Sequence, residues 1–121
     1  MIKDVVIIKD DKSICWVNKG CSYAFYQNHI DQFMVDESRQ LIFVLSGYSS
    51  PSNKLDILDD TGMIVFSSLP PPGSTYYYLT KTPSDEVLVV CSFERKNDNW
   101  YDWHYSFDLK KRELHYVAPA Y

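Results

Sequence analysis

Residues Leu41 to Phe66 read LIFVLSGYSSPSNKLDILDDTGMIVF, and the strand pattern of the whole chain can be worked out from this segment. It opens with six residues, Leu41 to Ser46, that are almost all apolar and include Val and Ile. Such a run is typical of a strand that is covered on both faces. A Ser-rich loop at 47–53 separates it from the segment KLDIL, and the turn that follows ends at Gly62, which can adopt a positive φ. The pattern is therefore strand, loop, strand, tight turn, strand.

A variant of this pattern returns nearer the C-terminus, and its second half is already present at the N-terminus. The two strongest strands, 41–46 and 87–92, superpose without a gap at an offset of 46 residues, as do the segments before them. The hairpin at 57–66 matches 8–17 at an offset of 49 residues. The chain therefore carries an internal repeat, seen once whole, once nearly whole and once in half.

A repeat of roughly 45 residues with four short strands resembles a blade of a β-propeller. The resemblance implies an all-β fold of repeated four-stranded antiparallel meanders, in one domain that spans 1–121. It divides the chain into an outer half-blade at 2–17, a first repeat at 22–68 and a second repeat at 74–117. Propellers have about four to eight blades, so two and a half blades leave apolar faces open. The chain then either self-associates, caps its own ends with aromatics, or folds as a β-sandwich or small barrel.

The rest of the chain also favours strands, and about nine or ten short strands are predicted in all. Those outside the opening stretch are expected at 5–8, 14–17, 30–35, 75–80, 87–93, 100–109 and 114–117, and 22–26 is expected to be a weak strand or a bend. A charged loop is expected at 94–99. The three prolines at 70–72 form a connector between the repeats, because proline fixes φ and removes a hydrogen-bond donor.

The charge balance argues against nucleic acid as a partner. The chain has 12 basic and 16 acidic residues and a net charge of −4. Its densest basic run, Lys110 to Arg112, is followed at once by Glu113, whereas nucleic-acid binding needs a basic stripe. No apolar run approaches the roughly 20 residues of a membrane span, and the N-terminus lacks the features of a signal peptide. Neither nucleic acid nor membrane is therefore an expected partner.

The three cysteines indicate a cellular compartment but no catalytic or metal-binding role. Cys15, Cys21 and Cys91 are odd in number and lie on or beside apolar stretches, which favours reduced, buried thiols in a cytoplasmic protein. His104 and His115 could meet across a hairpin, but partly exposed strand histidines are the favoured interpretation over a metal-ligand pair. The motifs of serine hydrolases and phosphate-binding loops are absent from the sequence. We expect no catalytic residues, no cofactor and no metal, and hence no enzyme.

The segment NDNWYDWHY at 97–105 is the most informative for function. A strand would place its residues on two faces: Trp100, Asp102 and His104 on one, and Tyr101, Trp103 and Tyr105 on the other. If one face joins the core, the other presents aromatic and charged groups to solvent, and exposed Trp and Tyr are enriched at binding hot spots. The alternative is that this segment only covers an open blade face.

These observations predict a non-catalytic protein–protein interaction module that binds a protein partner. In size and charge the chain is similar to small acidic inhibitors and to bacterial immunity proteins. The alternative is a lectin-like carbohydrate-binding module that is built from oligomerised two-blade repeats. In that case Trp16, Trp100 and Trp103 would line a sugar site between blades, and a homo-oligomer is expected under either hypothesis.

Overall fold

The structure is a computed structural model that describes residues 1–8, 12–47 and 53–120. These residues form eleven β-strands in three antiparallel sheets. The strands are β1 (Ile2–Ile8), β2 (Ser13–Asn18), β3 (Cys21–Tyr26), β4 (Ile30–Asp36), β5 (Leu41–Ser46), β6 (Lys54–Leu58), β7 (Ile64–Ser68), β8 (Ser74–Lys81), β9 (Val87–Asn97), β10 (Trp100–Asp108) and β11 (Glu113–Pro119). The first sheet contains β1–β3, the middle sheet β4–β7 and the third sheet β8–β11. Within these ranges, no helix has the length and apolar character needed to cross a membrane.

The predicted fold class is confirmed, because the middle and third sheets are four-stranded antiparallel meanders. Each consists of consecutive strands, and the sheets are open, which fits blade-like meanders and a sandwich alike. Most of the predicted Ser-rich loop at 47–53 lies outside the described residues, as do residues 9–11 of the N-terminal half-repeat. Two turns at equivalent positions of the repeats have the same hydrogen bonding. The carboxylates of Asp59 and Asp108 each accept backbone N–H groups of their own turn.

The first sheet contains one strand more than the predicted half-blade. The sequence pattern placed residues from 22 onward in the first repeat, but β3 pairs with β2 and the middle sheet starts at Ile30. Lys19 and Gly20 explain the difference, because their φ angles of 52° and 78° form a tight two-residue hairpin turn between β2 and β3. Hydrophobic periodicity identifies a strand but does not show which neighbour it pairs with.

The middle sheet is covered on both faces, as the apolar run in β5 predicts. All six residues of β5 are buried. Leu41, Phe43 and Leu45 join the core between the middle and third sheets, and that core also contains Tyr76. The alternate residues Ile42 and Val44 join the core between the first and middle sheets. The three sheets therefore form a stack, and side chains that alternate along one strand serve two different cores.

Polar side chains fix how neighbouring sheets meet. The amide of Gln32 in β4 donates to the carbonyl of Tyr77 at 3.1 Å and accepts from the N–H of Leu79 at 3.0 Å, so it joins β4 to β8. Between the first and middle sheets, the Trp16 indole donates to the carbonyl of Asp60 at 2.9 Å. These bonds satisfy polar groups at the sheet interfaces, where leaving them unpaired would be costly.

The strongest of these ties is the carboxylate of Asp36, which is buried at the end of β4. Its Oδ2 accepts Nε and Nη2 of Arg39, at 3.1 and 2.7 Å, and the N–H of Val87 at 3.0 Å. Its Oδ1 accepts the Ser38 hydroxyl at 2.8 Å and the Arg39 N–H at 3.0 Å. Arg39 also donates to the carbonyl of Phe107 in the third sheet. Burial raises the pKa of Asp36, but the hydrogen bonds hold that pKa below its ordinary value of 3.8.

Candidate binding surface

The predicted binding segment lies in the hairpin of β9 and β10, whose tip extends past its neighbours. On one side the main-chain contacts reach Glu94, whose N–H donates to the carbonyl of Gly73. On the other side they reach Asp102, whose carbonyl accepts the N–H of Ala120. The tip, residues 95–101, lies beyond both contacts. It therefore projects from the third sheet as an arm.

The charged loop that the sequence predicted at 94–99 is mostly strand. β9 continues to Asn97, and only Asp98 and Asn99 form the turn, with φ angles of 49° and 71°. Two successive positive φ values define the type I′ turn, whose twist matches that of paired strands. The charged residues were misleading because this part of β9 lies outside the core, where a strand keeps its polar side chains in solvent.

One face of β10 belongs to the core. Trp103 packs against the core between the middle and third sheets, and Tyr105 and Phe107 are buried in it. Burial raises the pKa of the Tyr105 hydroxyl, and the neighbouring Tyr116 raises it further. Tyr105 therefore supports the segment from beneath. Asp102 and His104 lie half-buried on the opposite face, across from Ser92 and Val90.

Four aromatic side chains gather around the base and tip of the arm, and we call them the aromatic surface: Trp100, Tyr101, Trp103 and Tyr116. Trp100 is 39% exposed, Tyr101 50% and Tyr116 56%. The rings of Trp103 and Tyr116 meet edge to face, with centroids 5.4 Å apart. The Trp103 indole N–H also donates to the Trp100 carbonyl at 3.3 Å. The partly buried Trp103 thus connects the Tyr116 ring and the main chain of Trp100 to the core.

Tyr116 was missed by the sequence reasoning, although a signal existed. It alternates with Leu114, which packs against the core, and so it lies on the same face of β11. The register places it opposite Tyr105, with ring centroids 4.9 Å apart. Pairing the two halves of the predicted C-terminal hairpin would have brought these rings together.

Charges of both signs surround the aromatic surface. The Lys96 ammonium lies 5.5 Å from the centroid of the Tyr101 ring, within the range of a cation–π contact. Glu94, Arg95 and Asp98 are exposed along the same arm. An apolar centre with a charged rim is the usual anatomy of a protein-binding site.

The two histidines that could meet across the C-terminal hairpin do not pair with each other. His115 lies opposite Ser106 rather than His104, and its Nε2 is 3.3 Å from a Glu113 oxygen. Burial raises the pKa of the Cys91 thiol to about 12, the bond from Ser74 lowering it by less, so this thiol stays protonated at neutral pH. No group of three or more His, Cys, Asp or Glu that could hold a metal ion is found among the described residues.

Two predictions about buried side chains need correction. The cysteines were expected to be buried, but Cys21 is exposed in the edge strand β3, and Cys15 is only half-buried because it lies on the face of β2 opposite the core residues Ile14 and Trp16. All three are free thiols. Trp16 was expected to line a sugar site, but it is buried between the first and middle sheets, so its ring offers no face to a ligand.

A small polar cleft lies at the end of the first sheet. It has a volume of about 310 Å³ and is lined by Lys12, Tyr26, Gln27 and Asn28. The Gln27 amide also donates to Oδ2 of the buried Asp56 at 3.2 Å, which fixes its position. An aromatic ring, two amides and an ammonium group therefore line a volume at the lower end of the range for ligand pockets.

Comparison with known proteins adds no relative: no protein-family model, no curated protein and no solved structure matches this chain.

Proposed function

We propose that the protein is a non-catalytic binding module that recognises a protein partner through the aromatic surface. The observation that carries the proposal is the exposure of Trp100, Tyr101 and Tyr116 around an arm that projects from its sheet. Large aromatic side chains lose little conformational entropy on binding and are enriched among binding hot spots. The edge-to-face contact with Trp103 supports the Tyr116 ring before a partner arrives, which lowers the cost of association.

The net charge of the chain narrows the class of protein expected as the partner. A net charge of −4 favours association with a basic protein, because opposite charges accelerate encounter. A small acidic inhibitor or immunity-type protein is the narrower form of the proposal. The three free thiols favour a reducing compartment, and we therefore place the protein in the cytoplasm.

Affinity capture with matched variants tests the proposal. The double variant Trp100→Ala/Tyr101→Ala removes two exposed rings from the aromatic surface. The control variant Met63→Ala/Leu69→Ala removes two exposed apolar side chains at the middle sheet, where the aromatic surface does not extend. A partner captured by the wild type and by the control is expected to bind the double variant at least about 30-fold more weakly, since hot-spot truncations cost about 2 kcal/mol or more.

Titration of the purified partner then decides the matter. Equal affinity for the wild type and the double variant would refute the proposal, as would equal weakening in the control. Thermal unfolding of each variant shows whether the exposed substitutions leave the fold intact, which we expect because exposed side chains contribute little to stability.

The polar cleft favours a second function, the binding of a small polyhydroxylated ligand such as a sugar. The Tyr26 ring can stack on a sugar face, and the amides of Gln27 and Asn28 can bond neighbouring hydroxyls. A glycan array probed with the wild type and with Tyr26→Ala tests it. Binding that is lost in Tyr26→Ala supports the cleft, whereas glycan binding that depends on Trp100 would move the sugar site to the aromatic surface.

A further inference from the structure

The outer face of the first sheet is apolar and open. Cross-strand pairing arranges it in three rows: Lys3, Val17 and Ser22; Val6, Cys15 and Ala24; Ile8, Ser13 and Tyr26. Val6 is 49% exposed, Ile8 43% and Tyr26 75%. Of the nine residues only Lys3 carries a formal charge, although the chain is acidic overall. A sheet face of this composition is normally covered by a second layer.

The opposite end of the stack differs in character. On the outer face of the third sheet, the residues that alternate with the core-facing ones combine polar side chains, Thr80, Ser92, Asp102, His104 and Ser106, with Tyr78, Leu88 and Val90. Stacking this mixed face of one molecule on the apolar face of another would bury a carboxylate and an imidazole against aliphatic side chains, at a considerable desolvation cost. Head-to-tail growth of the stack is therefore unfavourable.

We propose that a second copy of this chain docks on the outer face of the first sheet, so that two first sheets pack face to face about a two-fold axis. A two-fold interface brings the same patch of both copies together, and this patch is apolar and nearly uncharged, so it matches itself. Interfaces between identical chains are also more apolar than those with transient partners. The inference does not rest on the proposed binding of a protein partner, because the aromatic surface belongs to the third sheet; the polar cleft shares Tyr26 with the docking face.

The area of the face sets the expected strength. Three strands of about six residues cover about 14 by 20 Å, given the usual strand spacing and rise. Two such faces of about 280 Å² each cover about 560 Å² in total, which is below the size of a standard specific interface and typical of a weak one. We therefore expect a weak, concentration-dependent dimer with a dissociation constant of about 100 μM or above.

Sedimentation velocity of the full chain across a concentration series, from about 1 to 500 μM, tests the proposal. The 14.2 kDa monomer is expected to shift to a species of twice that mass as the concentration rises. Val6→Glu places a carboxylate in the central row of both copies, and we expect it to weaken the dimer at least about tenfold. Met63→Glu alters an exposed apolar residue at the middle sheet and serves as the control, with the wild-type constant expected.

Cys15 provides a second measurement, because it lies at the centre of the face. Packed sheets are about 10 Å apart, so a short bismaleimide can bridge the two copies of Cys15. In Cys21→Ser protein we expect cross-linked dimers, and in Cys15→Ser/Cys21→Ser none. If Val6→Glu loses its circular dichroism signal, Ala24→Glu on the other side of Cys15 replaces it.

A monomer at every concentration would overturn the proposal. So would a dimer that persists in folded Val6→Glu, or in the Ala24→Glu variant that replaces it, and so would a dimer without the Cys15 cross-link, since either result places the interface elsewhere. If Trp100→Ala/Tyr101→Ala loses partner binding but still dimerises as the wild type does, the result bears on the proposed function alone and not on the dimer.

Discussion

Replacing Asp36 with asparagine removes the charge that holds the middle and third sheets together. Both carboxylate oxygens are in use: Oδ1 accepts from Ser38 and from the Arg39 backbone, and Oδ2 accepts from the Arg39 side chain and from Val87. Asparagine retains one oxygen and directs an NH₂ group at donors on the other side. The guanidinium of Arg39 and the N–H of Val87 then face a donor inside the protein.

We expect this substitution to cost about 3–5 kcal/mol, the range for breaking a buried ion pair by changing one partner. Loss of hydrogen bonds to a charged group, at about 1.5–3 kcal/mol each, leads to the same range. Since domains of this size are stable by only about 5–15 kcal/mol, Asp36→Asn should lower the melting temperature by about 10–20 °C. Urea unfolding followed by tryptophan fluorescence measures the change in free energy directly.

Asp59→Asn is the matched control, because the carboxylate of Asp59 accepts a similar number of hydrogen bonds in a different arrangement. Oδ1 of Asp59 accepts the Thr61 N–H, the Thr61 hydroxyl and the Met63 N–H, all on one oxygen. Asparagine can retain that oxygen and turn its NH₂ group toward solvent, so we expect a cost below about 1 kcal/mol. Equal costs for the two substitutions would refute the assignment of Asp36 as an inter-sheet tie.

The pH dependence provides a second check on Asp36. Its folded pKa lies below the ordinary value of 3.8, so the unfolded chain binds the proton more readily. The stability that Asp36 contributes is therefore fully present above pH 3.8 and is lost as the pH falls through the folded pKa. The gap in stability between wild type and Asp36→Asn should narrow over that range. A gap that stays constant from neutral pH to below pH 3 would contradict the argument.

Two further predictions use pairs of matched residues. Gly62 and Gly73 both have φ near +80 to +90°, but a Cβ at Gly62 would lie 3.4 Å from the Trp16 ring, and at Gly73 it would meet nothing within 4 Å. Alanine at either site should lower the free energy of unfolding by about 1–2 kcal/mol through the backbone alone. Valine should cost at least about 1 kcal/mol more at Gly62 than at Gly73, as measured by urea unfolding. Equal costs for the two valine variants would show that the Trp16 ring moves aside. Ellman's reagent at pH 8 should label the exposed Cys21 quickly and Cys91 only after unfolding, because burial raises the pKa of Cys91 to about 12. Labelling of Cys91 before unfolding would mean that the third sheet opens.

The sequence predicts most of the strands because β-branched runs such as 41–46 leave few alternatives to a buried strand. It does not predict the partner of β3, since pairing depends on the turn at Lys19 and Gly20 and on packing. Nor does it predict the role of Asp36, which reads as one more polar residue in a turn. Its partner Val87 is distant along the chain, and only the folded stack brings the two together.

For the candidate surface, the sequence selects a segment rich in aromatics but does not show which of its side chains are buried and which are exposed. The alternation of β10 indicates two faces, and burial decides that Tyr105 belongs to the core while Tyr101 remains half exposed. The register with β11 adds Tyr116 to the surface through a pairing that is regular from the turn to Tyr105, and beyond it an irregularity lies between His104 and Tyr105. Strand periodicity alone does not locate such an irregularity.

The burial of β5 on both faces has a consequence for how the molecule opens. Each sheet is a meander of consecutive strands, so a sheet can separate from the stack without threading or long loop closure. Either outer sheet can open while the other core stays intact, but loss of the middle sheet removes the support of both. The free energy of local opening is therefore lowest at the two ends of the stack and highest in β5. Binding at an outer sheet then stabilises the sheet that opens most readily, and the gain in protection is greatest there.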